Sequence, residues 1–405
     1  MRIDHGMRAQ VRGQLASLVE RMRTWEHSQA LSDGVLADIR QRIRHFRHTT
    51  DLTGVRFAGV DGSGDFPALS YADSFIYLTT AQATVYEARG RDGMAAITPQ
   101  PDLLMDFVWL PEAQARREAE LDEAFARLVG RPIADVIAHS DYLTLKASIS
   151  GSSGSVAQVL AKLIRPPASD SGNLGIQLRS TGELSAALRV LSDPNPPEVI
   201  LLDGTLSLPM ITRQGLSLFH EHLKRLCCVR ARAVGSTIAW ISKSHGLPGI
   251  EAIERCAQQA LGLGDRQVAE HWFLRLPTGD DGWDLPMATE RHLPPPGAVT
   301  YLVRFHRTTP VLRIDLDRVA WQTSMRADTP DATAARESAW FAQLDHSCHD
   351  QRSYGYPYPI KAGHDQASLT QERRIGLRRQ IIEAAVAAGM KRSLFINASM
   401  ATGHA

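Results

Sequence analysis

The middle of the chain alternates short apolar runs with helical stretches, and this alternation restricts the fold most. Val199–Leu202 is continuously apolar, is preceded by the proline-rich stop at 193–197, and is typical of a buried strand. The neighbouring elements expected along the chain are a helix over 182–192, a long helix over 207–231, a strand over 235–241 and a helix over 249–262. Strand–helix units of this kind predict an α/β fold with helices on the faces of a sheet.

Hairpins are expected on both sides of these units, which makes the sheet a mixed one. The early segments are a strand over 55–60 and a strand pair over 70–87. Residues 299–317 alternate, with Leu312 and Ile314 facing one way and Arg313 and Asp315 the other. This alternation predicts a half-buried antiparallel hairpin. Further helices are expected over 111–129, exposed to solvent, and over 369–388.

The predicted domain organisation is a helical extension followed by one elaborated domain. Residues 1–50 form the extension, whose stripe of Leu15, Leu18, Met22 and Trp25 is expected to pack on the body or on a second subunit. Residues 51–405 form the domain. Segments rich in serine, glycine and proline predict loop insertions near 131–178 and 277–298.

Charge and cysteine content narrow the function classes. The net charge of the 405 residues is only +1, so a polyanion partner would need a local basic groove. The charged start of the chain predicts no signal peptide, and no run approaches the ~20 apolar residues of a spanning helix. The four cysteines form no Cys-x-x-Cys pair, which argues against a zinc ribbon or a disulfide framework. A cytoplasmic protein without a membrane partner is expected.

Two predicted strands end in the same way. Val60-Asp61-Gly62-Ser63 and Leu202-Asp203-Gly204-Thr205 each put an aspartate, a glycine and a hydroxyl residue after an apolar run. Ligands of α/β sheets gather beyond strand ends, and the glycine would let the backbone turn and leave room for a substrate. The two aspartates either share a hard cation such as Mg²⁺ or Mn²⁺, or each simply makes a turn.

Three further positions have a chemical and a structural interpretation. Lys243, in Ser-Lys-Ser after the third strand, is a phosphate-binding or a surface lysine. The two Tyr-Pro pairs of 356–359 predict a stiff extended segment that delivers His364 as a metal ligand or general acid/base, or an aromatic surface loop. Glu183 is a favourable first-turn acid of its helix.

Taken in order, these pieces resemble the NurA nuclease family over about residues 50–390. The matching pieces are Val-Asp-Gly-Ser at 60–63, Glu183, Leu-Asp-Gly-Thr-Leu at 202–206, Ser-Lys-Ser at 242–244, the 311–316 strand with Arg313, and Gly-Tyr-Pro-Tyr-Pro…His at 355–364. The sequence departs from the family with Thr205 where serine is commoner and with Gly363 where alanine usually precedes the histidine. Glu198, at the start of its strand, is the fallback for Glu183.

The resemblance implies a ribonuclease H-like fold and a homodimer that degrades DNA with Mn²⁺ (or Mg²⁺) beside a HerA-like hexameric ATPase. It implies metal ligation by Asp61, Glu183, Asp203 and His364, with supporting roles for Lys243 and Tyr356. Two-metal hydrolysis of a phosphodiester is the expected reaction. Arginines of the 299–317 hairpin and of the last helix would follow the DNA backbone or form a solvated face.

Two other functions fit parts of the sequence. An actin- or sugar-kinase-like ATPase also uses two Asp-Gly turns to hold phosphates, but such a scheme has no place for His364. A non-catalytic adaptor that docks a motor ATPase onto DNA ends would not need the full set of acids.

Overall fold

The structure is a computed structural model that describes residues 5–28, 32–64, 67–145, 155–161, 171–206, 218–244, 249–264, 267–276 and 297–396. Its helices are α1 His5–Ser28, α2 Asp33–Arg42, α3 Gln114–Val129, α4 Ile133–His139, α5 Val156–Ala161, α6 Ser171–Leu191, α7 Leu218–Ala233, α8 Ile250–Ala260, α9 Arg318–Ser324, α10 Pro330–Ser347, α11 Tyr358–Ala367 and α12 Gln371–Ala387. Its strands are β1 Arg44–His45, β2 Thr53–Ser63, β3 Pro67–Tyr71, β4 Ser74–Arg89, β5 Met94–Ala96, β6 Leu104–Pro111, β7 Val199–Asp203, β8 Thr237–Ser242, β9 Trp272–Arg275, β10 Ala298–Arg304, β11 Leu312–Asp317, β12 His349–Asp350, β13 Ser353–Tyr354 and β14 Phe395–Ile396.

Within the described residues, one mixed sheet of twelve strands organises the chain. Its order is β1-β9-β10-β11-β8-β7-β2-β4-β3-β14, and β5 and β6 also pair with β4. The central strand β7 runs parallel to β2 and to β8, whereas the outer neighbours pair antiparallel. The predicted fold class, a mixed α/β sheet flanked by helices, is therefore confirmed.

Hydrophobic side chains cover both faces of the central strands. Along β7, Ile200 and Leu202 belong to the core that includes α3, α6 and α7. Val199 and Leu201 belong to the opposite core, which includes α10 and α11. Because successive side chains of a strand point to opposite faces, a strand between two helical layers must be apolar throughout. This is why 199–202 has no alternation.

The predicted N-terminal helices are present as α1 and α2. Helix α2 packs with α8 and β9 in a third, smaller core. The described side chains of helix α1 do not pack on the body: Leu15, Leu18 and Met22 are 52, 44 and 61 % exposed. The side chain of Trp25 lies outside the described part. No helix among the described residues is both long and apolar enough to span a membrane.

Several predicted elements differ from the structure in extent. Helix α6 begins at Ser171, inside a segment expected to be a loop, and α4 and α5 also lie in the 131–178 range. Helix α3 is not a solvated helix, because Leu121 and Phe125 on one face are buried. The 277–298 insertion lies almost wholly outside the described residues, which resume at 297.

The prediction of a half-buried hairpin over 299–317 is corrected at strand β11. Its antiparallel pairing with β10 is as predicted, but every residue of β11 is buried. The polar face is buried because its charges are paired: the Arg313 guanidinium donates to both oxygens of Asp315 at 2.9 and 3.0 Å. Alternating polarity indicates a solvent face only when the charges lack such partners.

Asp317, at the end of β11, holds a buried ion network together. Arg225, only 2 % exposed, donates to Asp317 at 2.8 Å and to both oxygens of Asp141 at 2.7 and 2.9 Å. Arg232 also pairs with Asp317. The Asp317 carboxylate further accepts the backbone N–H groups of Val319 and Ala320 and so caps α9.

Asp317→Ala should lower the free energy of unfolding by about 3–5 kcal/mol, because it leaves the buried Arg225 without one of its carboxylates. Urea denaturation measures the change. Asp328→Ala, at an exposed aspartate nearby, is the matched control and should change stability by less than about 0.5 kcal/mol. Equal stability of the two variants would show that the network contributes little.

Candidate metal centre

Asp61 and Asp203 lie side by side at one edge of the sheet. The parallel register pairs Gly59 with Leu201 and Val60 with Leu202, and one further step brings Asp61 opposite Asp203. The sequence predicts that strand β2 ends before Asp61. In the structure the strand continues to Ser63, because β4 still pairs with it there. Asp61 is thus held as a strand residue, just past the last residue pair between β2 and β7.

The surroundings of Asp61 disfavour the charged form of its carboxyl group. Burial, and then the neighbouring Asp203 carboxylate, raise the pKa of Asp61. Two contacts oppose this effect: the Gly62 N–H donates to Asp61 Oδ1 at 2.7 Å, and His364 Nδ1 lies 2.9 Å from Oδ2. A buried carboxylate beside another carboxylate is the arrangement that a cation relieves.

The glycines after the two aspartates have different roles. Gly204 has φ 116°, which a tight turn requires and which residues with a side chain rarely adopt. Gly62 has no such angle; a Cβ there would lie 2.9 Å from Glu183 Cγ and 3.0 Å from its Oε1. The space beside Asp61 that was expected to admit a substrate is therefore occupied by Glu183, which approaches from α6 on the other face of the sheet.

Helix α11 carries His364 and lies directly on β2. The segment expected to be extended is helical from Tyr358 onward, because a proline in the first turn lacks only an N–H that the helix does not use. A Cβ on Gly59 would lie 2.0 Å from the Pro359 carbonyl carbon. Two threonines of β4 anchor the helix, Thr84 donating to the Pro359 carbonyl and Thr80 to that of Ala367, both at 2.7 Å.

Gly363 continues this close packing one turn before the end of α11. A Cβ there would lie 3.3 Å from the Asp61 backbone nitrogen and 3.2 Å from the Gln82 carbonyl oxygen. The helix therefore stays close to the strand from its first turn to the residue before His364. Because residue 363 is a glycine, no side chain enters this contact.

Tyr356 and Lys243 form the next layer of the site. Tyr356 is buried, and burial, reinforced by the nearby Asp203 and Asp61 carboxylates, raises its pKa. The Lys243 ammonium lies 3.9 Å from the centre of the Tyr356 ring, within cation–π range. Lys243 itself is exposed at the end of β8, so its charge remains accessible beside the carboxylates.

Two buried residues that the sequence did not single out support the Asp203 turn. Lys224 of α7 donates to the carbonyls of Thr205 at 2.8 Å and Leu206 at 3.2 Å. Asp315 accepts the Leu206 N–H at 3.0 Å. The apolar residues around Lys224 gave helical periodicity, and nothing in that pattern distinguishes an inward lysine from an exposed one.

A groove of about 300 Å³ opens beside the centre, between β2, β4 and α12. Arg374 and Arg378 of α12 line it, and Arg374 donates to Ser63 Oγ at 3.3 Å. The buried Arg378 Nε has no hydrogen-bond partner among the described residues. Burial, and then Arg374, lower the pKa of Arg378. An anion in the groove would stabilise both guanidinium groups.

Three other arginines of the 299–317 hairpin and of the last helix form ion pairs within the protein. Arg313 is buried against Asp315, and Arg304 pairs with Glu254 at 2.7 Å. Arg379 pairs with Glu383 one turn along α12. These three arginines therefore differ from Arg374 and Arg378, which line the groove.

No family model and no curated protein matches the sequence. Among solved structures, that of the NurA nuclease from Sulfolobus solfataricus is similar with a TM-score of 0.51 and 12% identity, over 96% of this chain and 99% of that chain. A NurA structure with manganese has a TM-score of 0.38 and 10% identity, over 95% and 99% of the two chains. One bound to dAMP and manganese has a TM-score of 0.38 and 11% identity, over 95% and 98%. The likeness to the Sulfolobus structure shows that this chain has a NurA-like fold.

Proposed function

We propose that this chain is a metal-dependent DNA nuclease of the NurA type. The observation that carries the proposal is the position of Asp61, which lies beside Asp203 and contacts His364 at one edge of the sheet, with Glu183 next to the adjacent Gly62. A binding adaptor would not need two neighbouring carboxylates with an imidazole in contact with one of them. The NurA-like fold supports the same assignment.

The donor set fits Mn²⁺ or Mg²⁺. Asp61, Asp203, Glu183 and His364 would hold the cations, since hard divalent ions prefer carboxylate oxygens and manganese accepts an imidazole. In the two-metal hydrolysis that we propose, cations held by these residues would supply a nucleophilic water at neutral pH and would neutralise charge on the leaving oxygen. The raised pKa of Asp61 is consistent with a site that is completed by positive charge.

The surrounding residues have roles that follow from their contacts. His364 orients the Asp61 carboxylate through its 2.9 Å contact. Lys243, held over Tyr356, offers a point charge to a phosphate near the scissile bond. Lys224 and Asp315 fix the turn after Asp203 from within the core. Arg374 and Arg378 would bind the DNA backbone in the adjacent groove.

Arg374→Gln and Arg378→Gln should each weaken DNA binding about equally for all sequences and reduce the salt dependence of log K by about 1. The reason is that each arginine neutralises one phosphate in the groove. Binding is measured by fluorescence anisotropy over a salt series in Ca²⁺, to prevent cleavage. Arg379→Gln, whose arginine pairs with Glu383, is the matched control and should bind like the wild type. Equal losses in all three variants would place the DNA elsewhere.

The partners remain those implied by the family resemblance. We propose a homodimer in the cytoplasm that works with a HerA-like hexameric ATPase on linear DNA ends, in repair or in defence against phage DNA. Pull-down of the neighbouring ATPase, if one is encoded beside this gene, tests the partnership. Size-exclusion chromatography with light scattering tests the dimer.

Incubation of the purified chain with linear DNA in Mn²⁺, Mg²⁺ or EDTA tests the function itself, with and without a HerA-like ATPase. Cleavage in Mn²⁺ that EDTA abolishes is expected. DNA binding without cleavage under every condition would favour the adaptor. Tight ATP binding by the isolated chain, also without cleavage, would favour the kinase-like ATPase.

The identity of the glutamate ligand can be decided by a matched pair of variants. Glu183→Gln should reduce Mn²⁺-dependent cleavage by roughly a hundredfold or more, as expected for a residue within reach of the cation. Glu198→Gln should cleave like the wild type, because Glu198 caps the far end of the sheet, where it accepts the Arg56 N–H at 2.8 Å. Rates from single-turnover cleavage provide the comparison. The opposite ranking would reverse the assignment.

A further inference from the structure

A second group of metal-ligating side chains lies at the other side of the sheet. It comprises His48 before β2, His271 directly before β9, Asp345 of α10 and His349 of β12. One ligand atom from each of the four lies within 4.8 Å of the others. Five inter-strand steps, or about 24 Å, separate the strand next to His271 from the strand of Asp61. The group is therefore distinct from the candidate metal centre.

Asp345 stands at the middle of this group. Its side chain is fully buried, and its carboxylate lies 2.7 Å from His48 Nδ1, 3.0 Å from His349 Nδ1 and 3.7 Å from His271 Nε2. The Thr49 N–H donates to Asp345 Oδ2 at 3.1 Å and fixes the orientation of the carboxylate. The three imidazoles also contact one another, with ring centres 4.3 to 5.4 Å apart.

Hydrogen bonds within the described part of the protein do not satisfy every polar atom of this group. His271 Nε2 and Asp345 Oδ1 are buried and have no hydrogen bond of good geometry to any described residue. Such atoms are uncommon in folded proteins because each loses its water without replacement. His271 also has φ 57°, a left-handed backbone that few residues with side chains adopt. These two unsatisfied atoms lie 3.7 Å apart.

We propose that His48, His271, Asp345 and His349 form a structural zinc site. Zinc binds imidazole nitrogen and carboxylate oxygen at bond lengths of ~2.0–2.2 Å, which corresponds to about 3.3 Å between ligand atoms in a tetrahedron. The distances from Asp345 to the three histidines fall on both sides of this value. Four protein ligands close the coordination shell, as in structural rather than catalytic sites.

The position of the site indicates what the zinc would stabilise. It joins the segment between β1 and β2, the entry into β9, and the end of α10. Residue His349 begins the short β12–β13 hairpin that leads to Tyr356. The Gly355 N–H donates to the Cys348 carbonyl at the base of this hairpin. Zinc would therefore fix the chain just before it enters the candidate metal centre.

The zinc content of the purified full chain is the direct test, measured by plasma mass spectrometry after dialysis. We expect one zinc per chain in the wild type and in Asp61→Asn, since Asp61 belongs to the other centre. His271→Gln and His349→Gln should bind zinc more than about 100-fold more weakly, since even partners that only orient a ligand cost roughly 10–100-fold. His306→Gln is the matched control, because its ring is 5.7 Å from that of His349 but outside the group.

X-ray absorption spectroscopy on the wild type does not depend on whether the variants fold. Three imidazole ligands and one oxygen ligand would support the site. A zinc-free wild-type chain whose melting temperature responds to neither zinc nor chelator would overturn the proposal. Zinc that is lost in Asp61→Asn but retained in His271→Gln would also overturn it, by assigning the ion to the other centre.

Discussion

Asp61→Asn should abolish Mn²⁺-dependent cleavage of linear DNA while leaving the chain folded. A cation bound at the proposed site would contribute several kcal/mol to the transition state, and about 4 kcal/mol corresponds to roughly a thousandfold in rate. The asparagine keeps the shape of the side chain, so its carbonyl still accepts the Gly62 N–H that Asp61 Oδ1 accepts at 2.7 Å. Single-turnover cleavage measures the loss, and circular dichroism checks the fold. Cleavage at the wild-type rate would remove Asp61 from the site.

Although Asp61→Asn should abolish cleavage, it should make the metal-free chain more stable at neutral pH. Because the pKa of Asp61 is raised in the folded chain, its folding contribution is fully present at low pH. This contribution is lost as pH rises through the ordinary value of 3.8 and on through the raised folded value. At neutral pH the charged Asp61 therefore destabilises the metal-free chain. We expect Asp61→Asn to melt at a higher temperature than the wild type in EDTA, but not in acid below pH 3.8.

Manganese should reverse this ranking at neutral pH. The cation binds the folded wild type more tightly than the variant, and binding to the folded state alone raises its stability. A higher melting temperature for the wild type in Mn²⁺, and for Asp61→Asn in EDTA, is the expected pattern. The same ranking in both buffers would show that charge repulsion at Asp61 is not what the metal relieves.

Gly59→Ala should displace helix α11 from the sheet. The new methyl group would lie 2.0 Å from the Pro359 carbonyl carbon and 2.2 Å from the Ile360 nitrogen, both backbone atoms that cannot rotate away. Overpacking of this kind costs about 1–3 kcal/mol or more. Since His364 moves with the helix, we also expect cleavage to fall roughly a hundredfold for each displacement of about 1 Å.

Urea denaturation and Mn²⁺ titration calorimetry measure the two effects of Gly59→Ala. Gly376→Ala in α12 is the matched control, because a Cβ at that position meets no atom within 4 Å. A helical glycine replaced by alanine in open space should gain about 0.5–1 kcal/mol. If both variants had the same stability and the same affinity for Mn²⁺, the contact between α11 and β2 would not be what positions His364.

The sequence predicts the sheet and its two aspartates better than the remainder of the site. Asp61 and Asp203 each follow an apolar run, and strand ends of that kind meet at one edge. Glu183 could not be assigned in this way, since it reaches the edge from the opposite face through the space left by Gly62. That approach depends on how a helix packs across the sheet, which no local pattern contains. The catalytic roles of these residues stay predictions.

Proline and charge patterns were misleading for a common reason. Tyr356-Pro357-Tyr358-Pro359 predicts extended chain, but its second half opens helix α11 because the first turn of a helix accepts proline. Arg313 and Asp315 predict a solvent face, but they neutralise each other in the core. Local preferences are decided by tertiary partners, and those partners lie far away in sequence.

Glu183 and His364 reach Asp61 from opposite faces of the sheet, and His364 lies 303 positions after Asp61 in the chain. During synthesis, a ribosome-bound chain without α11 has the strand but not the helix that seats on it. Such a chain contains the acidic residues of the proposed site but lacks His364. The proposed site would therefore be complete only after both helical layers have packed on the sheet, and a chain that ends before α11 would lack His364.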